Sequence, residues 1–301
     1  MLKDLLFLVS FYLTDRDRLT LKLYCLTIYF KFINDFKVCC INNNIISIKI
    51  LSLINNKLNW FLGFYYACIG GHHDLVDFMI NNYLLDVYWN LGLYGACRGG
   101  HRDLVDFMIQ KGAQNWDSGL EGACRGGHID LAKLMIDSGA DDWGSGFKSA
   151  CRGGHRDLVD LMIDKDDDNW DDDNWDDGLY GACRGGHIDI VKLLIEKGAT
   201  NWSKGLDGAC RCGNIDIIEL LIKNEADDWN SGLYGACRGG HIDIIKLMIE
   251  KGADDWNRGL SGACRRRSRH RGTTSPCDIV DLMILNGATK CSFCDRNHHL
   301  I

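Results

Sequence analysis

Along most of the chain the apolar positions fall into two unequal stretches that alternate regularly. The segment Gly232 to Arg258 reads G-L-Y-G-A-C-R-G-G-H-I-D-I-I-K-L-M-I-E-K-G-A-D-D-W-N-R. Its first stretch is short: Leu233, Ala236 and Cys237 stand at i, i+3 and i+4, one face of a helix. Gly239 and Gly240 stop that helix, because glycine reaches the left-handed cap conformation without a Cβ clash. The second stretch, Asp243 to Lys251, carries Ile244, Ile245, Leu247, Met248 and Ile249 as a broad apolar stripe. Asp243 in its first turn and Lys251 in its last suit the helix dipole, and Gly252 ends it. The pattern predicts a helix–turn–helix unit. So short a unit cannot bury its own stripe, so neighbouring units must stack.

The repeat is visible in single residues. Cysteines that follow Ala and precede Arg stand at Cys97, Cys124, Cys151, Cys183, Cys210, Cys237 and Cys264, in steps of 27, 27, 32, 27, 27 and 27 residues. Cys68 lies 29 residues before Cys97. Tryptophans keep the same rhythm at Trp89, Trp116, Trp143 and Trp170, then at Trp175, Trp202, Trp229 and Trp256. A fixed period of this size marks stacked supersecondary units rather than one globular core. The expected fold is all-α, a stacked helix-turn-helix solenoid.

The run A-C-R-G-G-H, followed by I-D-I-V-K-L-L-I-E-K-G-A, resembles the ankyrin repeat in both helices, the Gly-His turn and the closing Gly-Ala. The resemblance recurs over seven units from about Gly63 to Trp256, with a disturbed eighth. The family period is about 33 residues. Here the six missing residues fall where that family has its β-hairpin, so little or no hairpin is expected. Gly178-Leu179-Tyr180 stands where the family has Thr-Pro-Leu-His. This shortened, Trp-bearing form is most similar to ankyrin proteins of giant amoeba-infecting DNA viruses. The resemblance implies a protein-interaction scaffold and not an enzyme, with host proteins as partners if the chain is viral.

The edges depart from the repeat. Residues 1–59 read as an irregular helical cap. Cys39-Cys40, then Asn42, Asn43 and Asn44, then Ile48, Leu51 and Ile54 resemble a worn unit closed by Trp60. A signal peptide fits poorly: Leu5 to Leu13 is short, and Thr14-Asp15-Arg16-Asp17-Arg18 after it offers no small-residue cleavage site. Leu19 to Ile33 carries Lys22 and Lys31 and is too short to span a bilayer. Residues 60–258 hold the seven repeats, 259–290 an interrupted last repeat and 291–301 a short tail. The fourth unit duplicates Asp166-Asp167-Asp168-Asn169-Trp170 as Asp171-Asp172-Asp173-Asn174-Trp175. This reads as a self-repelling solvated loop without the spacing of a Ca²⁺ loop. The last unit carries a basic insert, Arg265 to Arg271, that allows a nuclear address. Cys291, Cys294, His298 and His299 crowd into half of a zinc pattern and lack a second ligand pair.

Composition then narrows the chemistry. The chain of 301 residues has a net charge of −7, which argues against nucleic acid as a partner. Its 15 cysteines are mostly one repeated position, read as a small buried apolar residue. In-register cysteines on stacked helices stand too far apart for disulfides, which fits a reducing, cytoplasmic location. His101, His128, His155, His187 and His241 sit at the turn of their units, and Asn214 replaces the histidine in one. A copy in every unit does not make a catalytic site. No cofactor, metal or membrane is expected, and a monomer is expected.

Trp116, Trp143, Trp202, Trp229 and Trp256 are read as closing each unit. They pack between units over the edge that the missing hairpin would cover, or form an exposed binding row. The residue two after each unit's first glycine varies: Tyr94, Glu121, Lys148, Tyr180, Asp207, Tyr234 and Ser261. By the family's geometry it lines the concave face, and its variation suits partner recognition. Arg98, Arg125, Arg152, Arg184, Arg211, Arg238 and Arg265 follow one turn later and are expected to pair with acidic neighbours across units, with anion recognition by the row as the alternative. The leading expectation is a scaffold binding a protein through its concave face and inter-repeat loops. The alternatives are a ubiquitin-ligase substrate adaptor, for which residues 1–59 are the only room, and a drifting repeat copy without a fixed partner.

Overall fold

A computed structural model describes residues 36–43, 48, 59–83, 88–165, 171–267 and 276–289. The N-terminal apolar runs, the first copy of the Asp-rich duplication, most of the Arg-rich insert and the Cys291–His299 tail lie outside the described residues.

Seventeen helices and no strand occur among the described residues. They form two layers. The first helices of the units are Phe36–Ile41, Trp60–Ile69, Trp89–Gly99, Trp116–Gly126, Trp143–Gly153, Asp172–Gly185, Trp202–Cys212, Trp229–Gly239 and Trp256–Arg267. Each packs on the first helix of the next unit, so they make one continuous stack. The second helices are His73–Tyr83, Arg102–Gln110, Ile129–Asp137, Arg156–Lys165, Ile188–Glu196, Ile215–Lys223, Ile242–Glu250 and Pro276–Leu285. Each leans mainly on its own first helix. The core runs the length of the array between the layers. Leu104, Val105 and Met108 from one second helix, and Ile244, Ile245 and Met248 from another, are buried in it. Leu247 and Ile249, the flanks of the predicted stripe, are half-buried.

The first helices start one turn earlier than the apolar pattern predicts. Those at Trp60, Trp116, Trp143, Trp202, Trp229 and Trp256 begin at the tryptophan, because the Asn or Asp before it is an N-cap, whereas Trp89 follows Tyr88, whose side chain makes no cap bond. Asn115 accepts from the Ser118 amide at 2.9 Å, Asp142 from Ser145 at 2.9 Å, and Asn201 from Lys204 at 3.0 Å. Asp228 and Asp255 do the same for Ser231 and Arg258, each at 2.9 Å. Such a cap contributes about 1 kcal/mol. At the other end Gly100, Gly127, Gly154, Gly186, Gly213 and Gly240 take φ between 81° and 91°. Asn43 takes φ 52° at the corresponding place after Cys40, the conformation that Asn tolerates better than most residues. Cys40 and Ile48 are buried there, as Cys68 and Val76 are in the next unit.

The second copy of the duplicated acidic segment is not the loop its charge suggests. It begins a helix of 14 residues, capped by Asp171, which accepts from the Asn174 amide at 3.0 Å. Asp172 and Asp173 lie in the first turn, where the helix dipole favours anions. Trp175, which reads as the slipped copy, stands in register with Trp116 and Trp202. It meets Phe147 edge-on at 5.6 Å.

One loop carries strain. Glu225 has φ 67° where Gly198 and Gly252 have 103° and 110°. A Cβ at either glycine would meet nothing within 4 Å, so the cost at Glu225 is in the backbone alone. Glu225→Gly is expected to raise the midpoint of urea unfolding, corresponding to about 1 kcal/mol. An unchanged or lower midpoint would contradict this.

Candidate partner-binding face

The stack of first helices is tight because small residues face small residues. A Cβ on Gly122 would stand 2.5 Å from the Tyr94 carbonyl oxygen, and one on Gly235 would stand 2.3 Å from the Asp207 carbonyl oxygen. The cysteines share this surface: Cys97, Cys124, Cys151, Cys183, Cys210 and Cys237 are all buried, with thiols in reduced form. Burial pushes the Cys97 and Cys124 thiols up to about 12, so they are poor nucleophiles and behave as apolar filler.

The variable residues and the arginines lie four apart, on adjacent turns of one helix face. The structure therefore brings Tyr94, Glu121, Lys148, Tyr180, Asp207 and Tyr234 into one column beside a column of arginines, all of them half-buried. Tyr94 stacks on Tyr65 with centroids 5.6 Å apart. Glu121 accepts from the Ser149 hydroxyl at 3.4 Å. Lys148 pairs with Asp177 at 2.7 Å and lies over the Tyr180 ring. Tyr180 is also covered by Arg184, and Tyr234 by Arg238 and Arg258. Burial raises the pKa of Asp207, against the opposing pull of Arg211 and Arg238.

The arginines do not pair with carboxylates as expected. Among the described residues, Arg98, Arg125, Arg152, Arg184, Arg211 and Arg238 make no ion pair. Tyrosines take that place: Arg98 donates to Tyr65 Oη at 2.6 Å, Arg184 to Tyr180 Oη at 3.4 Å and Arg238 to Tyr234 Oη at 3.3 Å. The physical reason is spacing: the residue one turn back is tyrosine for Arg184 and Arg238, and Arg98 meets a tyrosine of the preceding unit. Burial, and then Arg184, Arg125 and Arg211, bring the Arg152 guanidinium down to about 9. Burial, with Arg184 and Arg238, brings Arg211 to about 10.

The turn histidines bind across units. His101 Nε2 lies 2.9 Å from the Ile69 carbonyl, His187 Nε2 lies 3.2 Å from that of Arg152, and His155 is bonded to the Arg125 backbone. The rings of His128 and His155 cover Gly100 and Gly127 so closely that a Cβ there would fall within 2.5 Å. Asn214 keeps such a bond by donating to the Gly186 carbonyl at 3.3 Å, and it caps its own helix at Ile217. Being smaller than histidine, it leaves room for Cys212 where other units have glycine. His241 occupies the same N-cap place in its unit.

Trp116, Trp143, Trp202, Trp229 and Trp256 are half-buried and packed against the core. They open the first helix instead of closing the unit. Trp202→Ala is expected to cost about 2 kcal/mol in chemical unfolding, less than a fully buried aromatic would. Unchanged stability would instead favour an exposed binding row.

One recurrent device escapes the sequence reading. In four units the residue after the tryptophan accepts two backbone amides from the loop of the following unit. Asn90 takes Gln114 and Asn115 at 2.9 and 3.0 Å, and Asp117 takes Asp141 and Asp142 at 2.9 and 3.0 Å. Asp176 takes Thr200 and Asn201 at 2.9 and 2.8 Å, and Asn230 takes Asp254 and Asp255, each at 2.9 Å. These bonds tie loop to helix where a hairpin would pair strands. The signal in the sequence is the Asn or Asp at that place in most units.

Among the described residues no helix is long and apolar enough to cross a membrane, and no three His, Cys, Asp or Glu side chains converge as metal ligands. No curated protein matches the chain. A crystal structure of the human ASB11 ankyrin repeat domain is similar over 66% of this chain and 99% of that one, at 18% identity and a TM-score of 0.37. The family model described as ankyrin repeats matches residues 120–205 of this chain in three copies.

Proposed function

We propose that the chain is a non-enzymatic protein-binding scaffold, which recognises its partner through the column Tyr94, Glu121, Lys148, Tyr180, Asp207 and Tyr234. Ankyrin repeats are protein–protein interaction modules, and the family match supports that much for residues 120–205. One observation carries the finer reading. In a stack whose buried Ala and Cys recur unit after unit, the half-buried residue four before each arginine changes. Packing demands one residue and holds it constant, whereas recognition demands a different residue in each unit. On this reading the column lies on the concave face. The units around Cys40 and from Trp256 onward are worn members of the same array, and the partner is a host protein if the chain is viral.

The test is affinity capture from the native cell with Tyr94, Tyr180 and Tyr234 changed together to Ser. Loss of the captured protein by about tenfold or more, with a fold still intact by circular dichroism, is expected. Capture that is undiminished would overturn the assignment of this face.

A further inference from the structure

We propose that the arginine column seats an extended acidic segment of the partner, one partner carboxylate on each of Arg98, Arg125, Arg152 and Arg184. This rests on the scaffold reading above and gives its partner a chemistry. The first support is spacing. The arginines occur once per unit on helices that stack side by side, at a step of roughly 8–10 Å. A polyproline II segment has about three residues per turn and rises about 3.1 Å per residue, so every third side chain returns to one side after roughly 9 Å. A β-strand alternates faces and would point its third residue away.

The second support is unmet charge. None of the four arginines pairs with a carboxylate among the described residues, and Arg98 and Arg184 have only tyrosine hydroxyls. They are half-buried and oppose one another's charge, as the causes of the lowered Arg125 and Arg152 values show. Carboxylates arriving between them relieve that repulsion and form charge-assisted, fork-shaped bonds.

The limits of the seat are also visible. Asp207 stands one turn before Arg211 and is attracted by Arg211 and Arg238, so the next stretch of the column already holds a carboxyl group of its own. Glu121 is engaged by Ser149, and Lys148 by Asp177. A nucleic acid fits less well. Tyr65 and Tyr94 stack on each other and Tyr180 is covered by Lys148 and Arg184, which leaves little ring surface for bases.

The experiment uses the full chain and three fluorescent probes. One is a peptide of repeated Glu-Pro-Pro, the second has the same composition with its glutamates in one block, and the third is single-stranded oligothymidylate of similar charge. The in-step peptide is expected to bind at least about tenfold tighter than the block peptide and to weaken with added salt. Changing Arg125, Arg152 and Arg184 together to Gln is expected to abolish that preference. Arg152→Gln alone, the milder variant, is expected to reduce it, with thermal unfolding no lower because repulsion is removed. Equal binding of the two peptides, tighter binding of the oligonucleotide, or indifference to both variants overturns the proposal. If the peptides fail while the tyrosine variant still loses its captured protein, the scaffold reading stands and only the acidic segment falls. If both fail, both fall.

Discussion

Substituting Gly122 with valine is expected to drive two neighbouring first helices apart and to cost about 3 kcal/mol or more. The added Cβ would lie 2.5 Å from the Tyr94 carbonyl oxygen and 3.3 Å from Cys97 Cβ, both on a helix that cannot swing aside. A flexible side chain could yield, but a backbone carbonyl held in a helix moves only with its helix. Stability in a stacked array is a sum of unit and interface contributions, so a split at Gly122 uncouples the two sides. The measurement is urea unfolding followed by circular dichroism, in which one transition should broaden or divide. Ser149 occupies the corresponding place in the next unit and is buried there, so the stack opens enough for a hydroxymethyl group. Gly122→Ser should therefore be much milder than Gly122→Val. Equal effects of the two would show that the interface is not close-packed at this point.

Asp176→Ala is the second large expected loss. The residue is 7% exposed, and one carboxylate oxygen accepts from both Thr200 and Asn201. Bonds to a charged acceptor contribute about 1.5–3 kcal/mol each, so losing both is expected to cost about 3 kcal/mol after water partly replaces them. Asp176→Asn keeps an acceptor oxygen and should recover most of the loss, as Asn90 and Asn230 hold the same amides in their units. Hydrogen exchange at Thr200 and Asn201 reads the effect locally. Unchanged protection in the alanine variant would show that the loop is held by something else.

The order of helices and their turns was legible because each rests on a local pattern. Ile244, Ile245 and Met248 announce a stripe, and Gly239-Gly240 announces its boundary. The first turn at each tryptophan was not legible, since Asp228-Trp229-Asn230 has no apolar period and its cap is a matter of side-chain geometry. The loop acceptors were hidden for a different reason. Asp117 bonds residues 24 and 25 positions onward, beyond any window that reads helices. At the candidate face, the column was legible from variation against a constant frame. The partners of its arginines were not, because charge balance suggests carboxylates and the stack supplies tyrosine hydroxyls. Glu225 shows the opposite limit: the sequence displays a glutamate in place of a glycine, but only the backbone angle says that it is held against its preference.

The acceptor after each tryptophan also grades the joins between units. From Trp89 onward, Gly144 and Ser203 hold that place in two units, and glycine has no side chain with which to accept. No bond from Ser203 to the following loop occurs among the described residues, and the unit of Gly144 is the one followed by the duplicated Asp-Asp-Asp-Asn-Trp sequence. A rope of equal strands frays anywhere, but this one has two thin places. Pulled from its ends, the array is expected to part first after those two units, leaving three blocks that each still carry a stretch of the arginine column.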